Sequence, residues 1–172
     1  NWALHLGGSS LLVALLGALG SLAQIAQLPA AWFSAFRSRR TLALGATAVA
    51  RAAYLPLALL PFVHASIETQ RLALVAVAAI SAIAGVVGNN AWVAWMGDLV
   101  PASLRGRYFG RRTSLSLLAG AVGAIAGGLA LDRARHVDTE ELVLAALSGL
   151  GFLAGLVTTW LMVRQPPAFA AA

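Results

Sequence analysis

The feature that most limits how this chain can fold is a series of five long apolar runs. A bilayer core about 30 Å thick needs roughly 20 apolar residues per helix, at a rise of about 1.5 Å each. The runs cover residues 6–36, 41–63, 72–97, 109–131 and 142–163, and the fourth is uncharged from residue 113 onward. We therefore predict an all-α, polytopic membrane protein with five transmembrane helices in a single membrane domain, residues 1–172.

Composition argues against other fold classes. Hydrophobic residues make up 60% of the chain and charged residues only 10%, whereas roughly a quarter of a soluble domain is charged. A soluble helical bundle also needs a polar face on each helix, which these runs lack. A transmembrane barrel would show short alternating segments instead of continuous apolar runs. Membrane lipids are therefore the predicted surroundings of the chain.

The residue types that catalysis or metal binding requires are sparse. Cysteine is absent, which excludes disulfides and thiolate metal sites. The three histidines, His5, His64 and His136, are far apart in sequence and have no ligand spacing. The sequence shows no Ser/His/Asp grouping and no phosphate-binding loop. We expect no enzyme activity, no catalytic residue, no metal and no cofactor.

The arginines are sorted to alternate sides of the predicted bundle. Those that follow the first, third and fifth runs are Arg37, Arg39, Arg40, Arg105, Arg107, Arg111, Arg112 and Arg164. The opposite side carries fewer arginines, and acidic residues offset them. Because basic loops remain in the cytoplasm, we predict a bacterial-type inner (plasma) membrane protein with its N-terminus outside and its C-terminus in the cytoplasm. The net charge of +6 then reflects topology, and we expect no nucleic-acid partner.

Both ends of the chain suggest a piece of a larger protein. The sequence opens on Asn1 instead of Met. Near the other end, Pro166 and Pro167 stop a helix and favour an extended chain. We expect residues 164–172 to start a cytoplasmic linker.

Arg51 is the one charge inside the second run, about ten residues from either end of its span. Insertion scales give a free-energy cost of roughly 2.5 to 3.5 kcal/mol for placing an Arg at this depth in the membrane. No acid occurs within the five runs, so its partner is a backbone carbonyl, water in a cavity, an anionic solute or a residue outside this chain. Arg51 is therefore a candidate for the solute cavity, with structural pairing as the alternative.

The third run carries a polar and aromatic group toward its cytoplasmic end: Asn89, Asn90, Trp92 and Trp95. Two amides in lipid are costly unless they are hydrogen-bonded, so at least one should face the bundle or a water-filled cavity. Trp92 and Trp95 are three residues apart and share a helix face. They form either an interfacial aromatic belt or, with the amides, a wall for solute.

Asp98 is the only acid on the predicted cytoplasmic side. An acid at a helix C-terminus faces the negative end of the dipole and needs a cation to offset it. Arg105 and Arg107 are close in sequence. Two interpretations stay open, a cytoplasmic charge network that holds one conformation or a static surface ion pair worth under about 1 kcal/mol.

Small residues are dense in the fourth run. Gly120, Gly123, Gly127 and Gly128 lie among alanines, and Gly123 and Gly127 have GxxxG spacing. Gly151 and Gly155 repeat that spacing in the fifth run. Membrane helices associate through close packing of such residues, so we predict helix packing here, of a generic or a specific kind.

Residues 97–112, which read GDLVPASLRGRYFGRR, resemble the cytoplasmic connection between the fourth and fifth helices of the major facilitator superfamily. Residues 37–41 resemble the basic end of its signature loop between the second and third helices. There the family's acidic position falls on Ala35, and two usual glycines fall on Ala31 and Ser38.

The fourth run resembles the antiporter motif of the same family. Gly110, Gly123, Gly127 and Gly128 are in register, while Ala119 and Ala124 replace a glycine and a proline. A basic residue that many proton-linked members carry falls on Ser81. Antiport is thus only weakly implied, and proton coupling through that residue is not implied.

The resemblance implies that the spans are helices two to six of a twelve-helix secondary transporter, part of a six-helix half. The missing first helix and second half would be its partners, and the solute would bind near mid-membrane between rocking halves. It also implies roles as cytoplasmic gating charges for Arg39, Arg40, Asp98, Arg105, Arg107, Arg111 and Arg112. The predicted function is transport of a small-molecule solute by alternating access. A non-transporting membrane scaffold or sensor of the same fold is the alternative.

Overall fold

The computed structural model describes residues 3, 7, 9–36, 38–63, 66–137 and 139–165, without the side chains of 33–36. Arg37, His5, His64 and most of the predicted linker lie outside these residues. The helices are α1 (Ser10–Leu22), α2 (Gln27–Phe36), α3 (Arg39–Ala52), α4 (Leu55–Leu59), α5 (Ile67–Leu99), α6 (Ala102–Arg135) and α7 (Glu140–Val163). Short 3-10 turns, Ala23–Ala26 and Leu60–Phe62, follow α1 and α4.

Five helical stretches are long and apolar enough to cross a membrane: Ser10–Trp32, Arg39–Phe62, Ile67–Leu99, Ala102–Arg135 and Glu140–Val163. No strand occurs in the described ranges. The predicted all-α class and number of spans are therefore confirmed. Large apolar side chains point outward, including Leu117 at 70% and Ile125 at 65% exposure, as expected where lipid is the solvent.

Local sequence explains where the helices begin. Ser9, Ser38 and Ser66 precede α1, α3 and α5, and each hydroxyl accepts a hydrogen bond from a backbone N–H of the first turn. Such N-caps satisfy donors that the helix leaves unpaired. Three of the spans thus start at a serine that the sequence itself supplies.

Pro101 makes the connection between α5 and α6 very short. The residue before a proline is disfavoured in the helical region, and Val100 is accordingly extended, with φ −89° and ψ 125°. Helix α5 ends at Leu99 and α6 begins at Ala102. The arginines from Arg105 to Arg112 therefore lie on the first turns of α6 and not in a loop.

A close helix crossing joins α3 to α5 at Gly88. A methyl group there would lie 3.0 Å from Thr47 Oγ1 and 3.1 Å from the Thr47 backbone nitrogen. Only glycine allows backbones this close. The crossing fixes the side-by-side placement of α3 and α5.

Two apolar clusters hold the bundle at its two ends. One contains Leu57, Leu60, Leu74, Val77, Leu144 and Ala145. The other contains Ala43, Ala91, Trp95, Met96 and Met162, contributed by α3, α5 and α7. Side chains between these clusters are left free to line a space inside the bundle.

Most glycines of α6 meet no other described segment, so their predicted role in helix packing stays a prediction. A methyl group at Gly120, Gly123 or Gly128 would meet no described atom within 4 Å, and only Gly127 has a neighbour, Leu147 Cδ1 at 3.8 Å. Among the described residues α6 lies at the edge of the bundle, so most of its small-residue face is uncovered. The tight approaches occur at Gly88 and Gly155 instead.

Candidate functional site

A cavity of about 970 Å³ lies inside the bundle. Small-molecule sites are commonly clefts of roughly 300 to 1,000 Å³, so this space is large enough for a small solute. Residues of α1, α3, α4, α5, α6 and α7 line it. Its polar lining comprises Gln24, Thr47, Arg51, Tyr54, Ser81, Asn89, Asn90, Arg112, Thr158 and Gln165.

The structure brings four of the five predicted cavity residues together. Arg51, Asn89, Asn90 and Trp92 line the cavity. Trp95 does not, because its side chain is fully buried in the apolar cluster with Ala43 and Met162. Trp92 packs against the same cluster, so of these two tryptophans only Trp92 reaches the cavity.

Arg112 lies in the cavity wall beside Asn89 and Trp92. Its Nη2 donates a hydrogen bond to Asn89 Oδ1 at 3.2 Å, and its guanidinium carbon lies 4.4 Å from the Trp92 ring centroid. Both contacts are suited to a guanidinium, which donates in its plane and stacks on aromatic faces. The Asn89 amide oxygen thus has the hydrogen-bond partner that its position in a membrane helix requires.

Sequence reasoning placed Arg112 with the cytoplasmic gating charges instead of the cavity. It is ten residues into α6, which is roughly 15 Å from the helix start. The position of Pro101 could have predicted the placement of Arg112, because a helix that starts just after this proline takes the following arginines into the bundle. The basic residues of this segment therefore occupy different depths.

Arg51 enters the cavity from α3 with its aliphatic stem against α7. A methyl group at Gly155 would lie 3.0 Å from Arg51 Cδ and closer still to Cβ and Cγ. The guanidinium forms no hydrogen bond or ion pair with any described residue. A backbone carbonyl of the described chain is therefore not its partner, which leaves water, an anion or a group outside this chain.

The remaining polar lining was not predicted. Thr47 and Ser81 are isolated polar residues within apolar helices, Thr158 is followed by Thr159, and Tyr54 lies in the turn between α3 and α4. Their depth could be read from the sequence. Which way each one faces depends on how its helix is rotated in the bundle.

At one end of the bundle, the basic end, ionic contacts join α3 to α5 and α7. Arg39 Nη1 contacts both carboxylate oxygens of Asp98, at 2.7 and 2.6 Å. Arg40 Nη2 donates to the Val163 carbonyl at 2.7 Å, and its guanidinium lies 5.8 Å from the Trp95 ring centroid. A cation at the carboxyl end of α7 also offsets the helix dipole.

The other predicted gating charges are arranged differently. Arg105 Nε donates to the Val100 carbonyl at 3.0 Å, so it caps α5 without reaching Asp98. Arg107 and Arg111 are exposed on α6 and make no hydrogen bond or ion pair with a described residue. In the part of the chain that the structure describes, the ionic partner of Asp98 is Arg39.

Polar groups at the basic end are not all satisfied. Arg40 Nε, Trp95 Nε1 and Gln165 Oε1 are buried and have no hydrogen-bond partner among the described residues. Each such atom carries a desolvation cost of about 1 to 3 kcal/mol. These contacts are therefore less favourable than a fully paired network would be.

Comparisons with known proteins provide no relative for this chain. No family model, no curated protein and no solved structure matches it. Kinship with the major facilitator superfamily stays a prediction from the motifs in residues 37–41, 97–112 and the fourth span.

Proposed function

We propose that this chain is part of a secondary active transporter that moves a small solute across the inner membrane by alternating access. The single observation that carries the proposal is the cavity. The five apolar spans line a partly open cleft of about 970 Å³ whose polar groups are arginines, amides and hydroxyls. Polar groups are costly in lipid and mark solute or ion pathways when they occur there.

The contacts of the basic end supply an attachment that a transport cycle can break. Arg39 and Asp98 lie 59 residues apart in sequence and on different helices. Both side chains are partly exposed, 49% and 41%, and exposed pairs contribute about 1 kcal/mol or less. An attachment this weak can break and re-form as the helices move.

Cysteine accessibility tests transport without knowledge of the solute. We would introduce Ser81→Cys in a cysteine-free background of the full-length protein, because Ser81 lines the cavity and the change adds little volume. Alternating access requires that a membrane-impermeant thiol reagent label this position from either side of the membrane.

The control is Leu117→Cys, at a side chain 70% exposed on α6, which should face lipid and resist the reagent from both sides. Labelling of Ser81→Cys from one side only, with normal insertion, would contradict alternating access and favour the scaffold or sensor.

A further inference from the structure

We propose that the solute is a small organic anion whose carboxylate or phosphate group is bound by Arg51 and Arg112. This inference rests on the proposed transport function and names the chemical class of its solute. The two arginines lie on α3 and α6 and line the same cavity. No acidic residue is among the described residues of its lining.

The charge balance of the cavity favours an anion. With two arginines and no carboxylate among its described lining residues, the space carries two positive charges. In a low-dielectric bundle those charges attract a counter-ion strongly and disfavour a cationic solute. A neutral solute would leave both charges uncompensated at membrane depth.

The two guanidinium groups retain donors for a ligand. A guanidinium has five N–H donors in a planar fork. Arg51 donates to no described residue, and Arg112 makes one hydrogen bond, to Asn89. Forks of this kind match the oxygen pair of a carboxylate or phosphate.

Both arginines lie at a similar depth. Arg51 is twelve residues beyond the start of α3 at Arg39, or roughly 18 Å, and Arg112 is roughly 15 Å beyond the start of α6. Both helices start at the basic end. One anion, or two acidic groups of one solute, could therefore be held between them.

The rest of the lining indicates an organic body. Leu57, Leu74, Val77, Leu161 and Met162 contribute apolar surface, and Trp92 contributes an aromatic face. A bare inorganic ion would leave this surface without a partner. An oxyanion attached to an apolar or planar group uses both parts of the cavity.

The first experiment measures the cavity potential through Ser81→Cys in the full-length protein. Two thiol reagents are compared, an anionic methanethiosulfonate (sulfonatoethyl) and a cationic one (trimethylammonioethyl). The reaction rate of each at Ser81→Cys is divided by its rate with a small thiol in solution, which corrects for intrinsic reactivity. We expect the anionic reagent to be favoured by about tenfold, since a charged cleft concentrates counter-ions. Adding Arg51→Gln or Arg112→Gln should remove most of this preference.

These substitutions are chosen to preserve packing. Gln keeps the Cβ, Cγ and Cδ positions that Arg51 places against Gly155. Arg107→Gln is the matched control, because Arg107 is an exposed arginine on α6 that does not line the cavity, and it should leave the preference intact. A preference for the cationic reagent in the parent protein would overturn the proposal.

The second experiment measures thermal stabilisation in nanodiscs of neutral phosphatidylcholine. The probes are benzoate, succinate and glycerol 3-phosphate, with benzamide, glycerol and choline as uncharged and cationic counterparts. A ligand that binds the folded state raises its melting temperature. We expect at least one anion to raise the melting temperature and its uncharged or cationic counterpart to leave it unchanged. The double variant Arg51→Gln with Arg112→Gln should abolish the shift. Stabilisation by choline or benzamide alone, or by none of the six probes, would contradict the proposal.

A lipid headgroup could offer the same oxyanion chemistry. We would repeat the reactivity measurement with phosphatidylglycerol in the nanodiscs. If the anionic lipid protects Ser81→Cys from the thiol reagents and soluble anions do not, the proposal that the ligand is a soluble anion is wrong. Labelling of Ser81→Cys from both sides, with no preference for the anionic reagent, would contradict the anionic solute but not the proposed transport function. A preference for the anionic reagent, with labelling from one side only, would indicate an anion site without transport.

Discussion

At the scale of single residues, the structure places Arg51 and Arg112 in the lining of one cavity. Arg51 was recognisable from the sequence because it interrupts an apolar run, but its lack of a described partner appears only in the fold. Arg112 was grouped with neighbouring arginines, and only the course of α6 separates it from them. In lipid, the cost of a charge depends on depth and on local partners, so position in the bundle decides its role.

Gly155 should be required for the packing of α7 against Arg51. We expect Gly155→Ala to destabilise the full-length protein by about 1 to 3 kcal/mol relative to Gly151→Ala, because the added methyl overlaps the Arg51 stem. Gly151 is the matched control, since a methyl there meets no described atom within 4 Å. Both changes raise helix propensity equally. Denaturant unfolding in detergent measures the difference, and equal stability of the two variants would refute the contact.

At the scale of elements, proline and glycine determine how the helices join and cross. Pro101 ends α5 so sharply that only two residues separate that helix from α6, which turns back along the bundle. Gly88 lets α3 lie directly on α5. The packing predicted for the α6 glycines stays a prediction, because most of their face has no described neighbour. A motif gives the spacing of small residues but not the helix that covers them.

The ion pair between α3 and α5 should bias the transport cycle. We expect Asp98→Asn to raise labelling of Ser81→Cys from the basic side by up to about fivefold, the equivalent of roughly 1 kcal/mol for an exposed pair. Asp132→Asn is the control, because Asp132 contacts Arg135 at 3.7 Å away from the basic end. Exchanging the charges, with Arg39→Asp and Asp98→Arg together, should restore the parent rate. Unchanged labelling in Asp98→Asn would identify a static surface pair.

At the scale of the whole molecule, polar contacts group the ends of the spans, both between distant segments and across the short connection from α6 to α7. Arg39, Arg40, Asp98 and Val163 meet at the basic end. Away from it, Arg71 Nη2 donates to the Gly7 carbonyl, and Arg135 contacts Glu140 at 3.3 Å. This grouping is the one that alternate crossings of a membrane by five helices require.

We predict that the basic end faces the cytoplasm, since arginine-rich connections are retained there. A cysteine at Ser103 should react with an impermeant reagent only after cells are opened. One at Thr139 should react in intact cells. Ser103 and Thr139 lie beside the two connections that flank α6, so they report on the two ends of one span. The opposite pattern would invert the predicted topology.

The helical class, the number of spans and the sorting of charge could all be derived from the amino-acid sequence. Each transmembrane helix must satisfy its own backbone hydrogen bonds and match the bilayer in length, so these properties are local and composition reveals them. Only the tertiary structure decided that Arg112 meets Asn89, that Arg51 rests on Gly155 and that Trp95 is buried. Those contacts depend on the rotation and crossing of helices, which many side chains set together and no short segment encodes.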